Sequence, residues 1–219
     1  LEEPLTLREI HHSIKQIACS KTPRMDGLPI EYYARYSDTL APQLIAMYNE
    51  AWEKGHLADT LNEALIVVLH KKGRDPLDVR SYRPLSLLTS DYKILGKILE
   101  SRLRRHIKSL VYSDQNGFIP GHNTFLNTRR LLAIMHAVSN EVPGAVAVSL
   151  GIEKAFDTLG WGYLQAVMAA MQFGPNFTRW ISTIYRYPQA RVKTGQQISE
   201  AVNIYRGTRQ GCPLSPLIF

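Results

Sequence analysis

With 219 residues, 45% apolar and 21% charged, the chain has the composition of a folded globular protein of one large or two small domains, not of a disordered one. Its net charge of +7 favours polyanionic partners, nucleic acid first, and fits a merely basic soluble protein equally well. Cys19 and Cys212, the two cysteines, give neither metal-ligand spacing nor a disulfide framework and fit a reducing compartment, nuclear or cytoplasmic; no apolar run approaches the roughly 18 residues of a membrane span, so no membrane partner is expected.

In chain order, Thr6-Leu-Arg-Glu9 fits a capping box, and Leu7, Ile10, Ile14 and Ile17 follow at helical spacing. Residues 21–27 read as a loop with an Asp-Gly turn. Asp38 can cap a second helix carrying Leu44, Ile45, Tyr48 and Trp52 and ended by Gly55. Ala64 to Leu69 is a strand-type run, Lys71 to Pro76 a basic tip and Tyr82 to Leu88 a returning strand, so residues 64–88 predict a hairpin. Asp91 to about Ile107 is helical, with an apolar stripe of Ile94, Leu95, Ile98, Leu99 and Leu103, and Asn123 to Ser139 is another helix.

After a turn at 141–144, Ala145 to Leu150 reads as a buried strand. Trp161, Leu164, Val167, Met168 and Met171 mark a helix, Phe177 to Tyr187 a further one, and 191–194 with 202–205 two short strands about Gly195. Helices dominate the first two thirds and strands with crossing helices the last third, which is an α+β arrangement with a boundary near residue 140. The ends, Leu1 and the apolar Leu217-Ile-Phe219, read as cuts in something longer.

Four strings carry candidate chemistry. Gly151-Ile-Glu-Lys-Ala-Phe-Asp157 follows the apolar run, and a carboxylate at a strand end beside a turn is a good metal position; Glu153 and Asp157 are the candidates, against a plain solvated turn. Arg206-Gly-Thr-Arg-Gln-Gly-Cys-Pro-Leu-Ser-Pro216 is a polar, glycine-containing turn offering Arg206, Arg209 and Gln210 as donors, or a loop that only caps the next helix. Ser81-Tyr-Arg-Pro-Leu-Ser-Leu-Leu88 with Lys71 and Lys72 can clamp a triphosphate, or be a solvated basic hairpin. Asp114-Gln-Asn-Gly-Phe-Ile-Pro-Gly-His122 precedes Arg129 and Arg130.

Together these strings resemble the reverse transcriptase of non-LTR, LINE-type retrotransposons, from about Leu5 to Phe219. The resemblance implies an α+β right-hand polymerase fold, with fingers over 1–140 and part of a palm over 141–219. It implies RNA-directed DNA synthesis on an RNA template and DNA primer from deoxynucleoside triphosphates, with two Mg2+ ions. Arg83, assisted by Lys71 or Lys72, would contact the nucleotide's phosphates. Phe156 would lie under its sugar and exclude a 2′-hydroxyl, Ile152 would lend a backbone carbonyl to the metal, and Gln210 and Gly211 would line the nucleotide and template pocket. Arg206, Arg209, Arg129 and Arg130 would meet nucleic-acid backbone, with His122 standing where the family has Arg.

The family's first metal-binding aspartate is Gly151 here, and its paired-aspartate motif falls beyond Phe219. Arg24 and Met25 replace a family Gly and Pro. The expectation is a very weak polymerase at best, with a lost ligand costing about 4 kcal/mol, on the order of a thousandfold in rate. The alternative is a non-catalytic nucleic-acid-binding relic of such an element.

Overall fold

The computed structural model describes residues 1–21, 26–142, 144 and 146–219. The loop expected at 21–27 falls mostly outside the described residues, Arg24 and Met25 with it, as does Ala145.

The chain begins with helix α1 (Leu7–Gln16), whose capping box forms as expected: the Thr6 hydroxyl accepts from the Glu9 amide and Glu9 accepts from the Thr6 amide at 3.0 Å. Arg102 then ties this end to the interior. Only 4% exposed, it donates to both Glu9 carboxylate oxygens and to the Leu1, Glu3 and Pro4 carbonyls. Burial alone would raise the Glu9 carboxyl, but the bonds and charge of Arg102 and the bonds from Thr6 outweigh it and hold Glu9 below its usual value.

Helices α2 (Ile30–Arg35) and α3 (Ser37–Lys54) are nearly continuous. Asp38 is not the cap: Tyr36 ends α2 and starts α3, and Asp38 sits in the first turn, where its charge suits the helix dipole. Gly55 closes α3 with φ +70°, a left-handed position that favours glycine. A short helix α4 (Asp59–Asn62), unforeseen in the sequence, runs into strand β1 (Glu63–His70). Strand β2 (Tyr82–Leu87) returns antiparallel, Leu65 opposite Leu87 and Leu69 opposite Arg83, so the expected hairpin is present.

Helix α5 (Ser90–Arg104) buries Ile94, Leu95, Ile98, Leu99 and Leu103 as its stripe demands. The predicted helix to residue 107 breaks at Arg105, and α6 (Ile107–Leu110) follows. Helix α7 (Thr124–Glu141) is capped by Asn123, whose side chain accepts from the Phe125 amide at 2.9 Å.

Val146–Leu150 corrects the sequence reading. It belongs to no ladder, and Val146, Val148 and Leu150 are 84%, 74% and 88% exposed. A strand needs a neighbour for its amides and carbonyls and a layer over its apolar face; no described strand pairs with this run.

Helices α8 (Ala155–Thr158), α9 (Trp161–Ala170) and α10 (Pro175–Ile184) follow, and α10 starts on a proline suited to a first helical turn. Strands β3 (Gln189–Thr194), β4 (Gln197–Ile198) and β5 (Val202–Asn203) and a last turn, α11 (Ser215–Ile218), complete the order. The sheet runs β2-β1-β3-β4, with β5 also on β3; β1 and β3 are parallel, Glu63 opposite Gln189. It therefore joins strands from both sides of residue 140. The core lies between α1, α3, α5 and α10, around Ile10, Tyr48, Leu99 and Phe177, all 0% exposed. No described helix is long and apolar enough to cross a membrane.

Candidate functional site

The 206–212 segment is built into the fold from three sides. Towards the 154–161 segment, the Gly207 amide donates to the Leu159 carbonyl and the Thr208 amide to the Phe156 carbonyl, both at 2.7 Å; the Trp161 indole donates to the Gly207 carbonyl at 2.9 Å. A Cβ on Gly207 would lie 2.8 Å from the Asp157 carbonyl oxygen, and φ there is +89°, so only glycine fits. Towards β2, the Ser86 amide donates to the Gln210 carbonyl at 2.8 Å. Towards α5, Cys212 packs on Gly96, where a Cβ would sit 3.2 Å from its Sγ.

One result is a cavity of about 860 Å³ on a face of the sheet. Ile66, Val68 and Val192 give it apolar walls, while Lys154, Asp157, Arg206 and Gln210 add charge and polarity. Gln210 and Asp157 are bonded, Nε2 to Oδ1 at 2.9 Å.

Arg83 is not on this face. Tyr82, Pro84 and Ser86 line the cavity, so strand alternation turns Arg83 and Leu85 to the other side. Gly211 adjoins that second face, since a Cβ on it would come within 3.9 Å of Leu85 Cδ1; at φ +121° and 2.5 Å from the Ser86 carbonyl oxygen, that Cβ has no room. Phe156 does not line the cavity either, its ring lying 4.4 Å from Phe219 and 6.0 Å from Phe118 between centroids. Two sides thus share the expected nucleotide residues: Gln210 on the cavity, Arg83 and Gly211 opposite.

Arg209 corrects the sequence reading. The side chain is buried at 8% exposure, with Nη1 donating to the Leu61 carbonyl at 3.2 Å, Nη2 to the Asn62 carbonyl, and the guanidinium 4.9 Å from the Tyr92 ring centroid. Those carbonyls end α4 and lack helical partners of their own, so the cation closes the helix C-terminus. It is not presented to a phosphate. Arg206, three residues earlier, is exposed at the cavity rim. Of the hairpin lysines, Lys71 is committed through Nζ to the Arg80 carbonyl at 2.7 Å, whereas Lys72 is exposed.

At the degenerate metal position, Gly151 and Ile152 are exposed, Ile152 at 76%. Gly151 has no side-chain oxygen, and one Asp157 oxygen already accepts from Gln210. Among the described residues no three His, Cys, Asp or Glu side chains group closely enough for a metal ion. The donor set around 151–157 therefore does not fit the pair of Mg2+ ions that the resemblance implies.

The 114–130 region carries a second basic surface. Arg129 and Arg130 are exposed on α7. Arg130 pairs with Asp114 at 2.5 Å, and its bond and charge hold the Asp114 carboxyl below its usual value. His122 is half-buried, with Nδ1 2.8 Å from the Gln115 carbonyl oxygen, which fixes the turn before α7.

Three further contacts were not foreseen. Lys154, at φ +49°, starts α8 and points to the cavity; a non-glycine in that conformation has no sequence signal. The Asp157–Gln210 bond joins two strings 53 residues apart. Tyr92, under Arg209, read only as one position of a helix.

Residues 69–219 match the family described as Reverse transcriptase (RNA-dependent DNA polymerase). Along its whole length the chain is 34% identical to the Transposon TX1 uncharacterized 149 kDa protein of Xenopus laevis, covering 17% of that protein. It is 26% identical over 98% of its length to the RNA-directed DNA polymerase from mobile element jockey of Drosophila melanogaster, covering 24% of it. Over 69% of its length it is 27% identical to the Retrovirus-related Pol polyprotein from type-1 retrotransposable element R2 of Nasonia vitripennis, covering 15%. The chain spans less than a quarter of the length of each of these relatives.

Proposed function

The chain belongs to the reverse transcriptase (RNA-dependent DNA polymerase) family, as the reverse transcriptase domain of a LINE-type retroelement, and from that premise we propose that it holds an RNA template, a DNA primer and a deoxynucleoside triphosphate while supporting little or no synthesis of its own. Residues 1–140, with the β1–β2 hairpin and its basic tip, serve as fingers in a right-hand arrangement, and residues 141–219 belong to the palm.

The observation that carries this reading is the joining of the 206–212 turn to both β2 and the 154–161 segment. It supports a nucleotide seat on the Arg83–Gly211 side. There Arg83 supplies a guanidinium fork for the phosphates and Lys72 a mobile ammonium. Gly211 lets a base or sugar approach the backbone, and Phe156 offers a ring for the sugar to rest on. Arg129 and Arg206 are exposed cations for nucleic-acid backbone.

The chemistry is where the reading turns negative. Mg2+ in this family stabilises the attacking and leaving oxygens of phosphoryl transfer, and the donors among the described residues do not assemble such a site, so no catalytic step is assigned to them. The nucleic-acid-binding function without synthesis is favoured by that one fact, Gly151. The test is Mg2+-dependent primer extension by the full-length element protein with Gly151 or with Gly151→Asp. Extension at least about a hundredfold faster with Asp is expected; equal rates would overturn the assignment of Gly151 as the lesion.

A further inference from the structure

We infer that the cavity on the sheet face is a docking groove for an amphipathic helix of a protein partner, one whose apolar stripe is flanked by Asp and Glu. The inference stands apart from the nucleotide reading, which concerns the Arg83–Gly211 side of the sheet.

The floor of the groove is an apolar row across three strands. Pro84 of β2 lies opposite Val68 of β1, and Ile66 of β1 opposite Val192 of β3. All four line the cavity. Three neighbouring strands span about 10 Å, close to the roughly 10–12 Å diameter of a helix with its side chains.

Leu77 and Val79 form one wall. They line the cavity from the hairpin tip, yet are 91% and 86% exposed. Beside an apolar floor they make a contiguous patch, not scattered exposure. The tip that carries them is held in place. The Tyr82 hydroxyl donates to the Pro76 carbonyl at 2.9 Å, the Leu77 amide to Asp75 Oδ1 at 2.9 Å, and Lys71 Nζ to the Arg80 carbonyl at 2.7 Å. A wall already fixed loses little entropy when a partner seats against it.

An added strand has no purchase on β2. The Tyr82 amide donates to the Val79 carbonyl and the Ser86 amide to the Gln210 carbonyl, while Pro84 between them has no amide hydrogen. The outward donors of the strand are thus used or missing, and the edge cannot extend its ladder. The floor instead suits an occupant whose backbone bonds are satisfied internally, which is a helix laid on its apolar face.

The opposite rim sets the charge. Lys154 and Arg206 are exposed there. Asp157, the one carboxylate lining the cavity among the described residues, already accepts from Gln210. The rim is net positive and complements acidic residues beside the stripe.

The test uses the full-length element protein and a fluorescent peptide of about 18 residues, long enough to hold a helix in water. It carries Leu at i, i+3, i+4 and i+7 and Glu on its flanks. A scrambled peptide of the same composition controls for attraction to a basic protein. The striped peptide should bind saturably and at least about tenfold tighter than the scrambled one. Leu77→Ser with Val79→Ser should cost that binding about tenfold. Both side chains are exposed, so this variant should fold and bind an RNA–DNA hybrid as before. Lys154→Glu should weaken the striped peptide about threefold. Equal binding of striped and scrambled peptides, or striped binding that the tip variant leaves intact, overturns the groove. Joint loss of hybrid and peptide binding in the tip variant assigns the groove to the nucleic-acid path and overturns the partner. Binding of dodecanoate, or self-association of the protein, that the tip variant abolishes while no peptide binds names a different occupant and overturns it as well.

Discussion

Replacing Arg209 with Ala separates a structural cation from a nucleic-acid contact. The guanidinium makes two charge-assisted bonds to the Leu61 and Asn62 carbonyls and stacks over Tyr92. Each bond is worth about 1.5–3 kcal/mol and the stacking up to about 2 kcal/mol when desolvated. Releasing a buried cation returns some of its desolvation cost, which reduces the net. A loss of about 3–4 kcal/mol remains, because two carbonyls at the end of α4 are left unpaired. Against a domain stability of about 5–15 kcal/mol this is large. With an urea slope of about 2 kcal/mol/M, the midpoint should fall by about 1.5–2 M. Arg209→Lys keeps the charge and loses the fork, so its loss should be about half as large. The assay is equilibrium urea unfolding of all three proteins, alongside binding to an RNA–DNA hybrid. An Ala variant that unfolds with the parent but binds the hybrid with a shallower salt dependence would refute the burial argument and restore Arg209 as a phosphate contact.

Gly207→Ala and Gly211→Ala place a methyl against backbone oxygen at φ +89° and +121°. Each should cost about 2 kcal/mol or more in urea unfolding, and a neutral result would show that the 206–212 turn is not held as described. Arg102→Met leaves Glu9 and three carbonyls without their partner and should destabilise by about 3 kcal/mol or more. The Glu9 carboxyl is held below its usual 4.5, so its contribution is present above that pH and lost as pH falls through the lowered value. An acid titration of stability should therefore flatten in Arg102→Met. Asp91 acts in the opposite sense: burial raises its carboxyl, so stability is lost as pH rises through its raised value, and Asp91→Asn should remove that loss. Arg83→Ala should reduce the slope of log affinity against log salt by about one, as expected for one phosphate contact.

Local signals made much of this fold legible. The Thr6–Glu9 box, the Gly55 terminus, the 64–88 hairpin and the α5 stripe all depend on neighbours within a few turns, and all are present. Asp38 was misplaced because a cap also depends on what precedes it, and α2 ends at Tyr36. Val146–Leu150 has the composition of a buried strand, but burial depends on a partner that its own residues do not encode. The parallel pairing of β1 with β3 spans more than a hundred residues and leaves no local trace.

The site divides in the same way. Its strings were recognisable one by one, yet the faces they occupy were not. Alternation along β2 sets Arg83 opposite Gln210's cavity, and α4, itself unforeseen, takes Arg209 out of reach of solvent. Asp157 looked like a metal candidate because of its position in a motif. Its actual partner, Gln210, is 53 residues away.

The most direct measurement is a salt titration of binding between this chain and a fluorescent RNA–DNA primer–template, followed by anisotropy, with Mg2+ and deoxynucleotides added to the same samples to score extension. Four exposed cations, Arg83, Lys72, Arg129 and Arg206, set an expected log–log slope of about −3 to −4, with no extended product. Extension by the Gly151 chain would contradict the loss of chemistry, and salt-insensitive or absent binding would contradict the nucleic-acid surface.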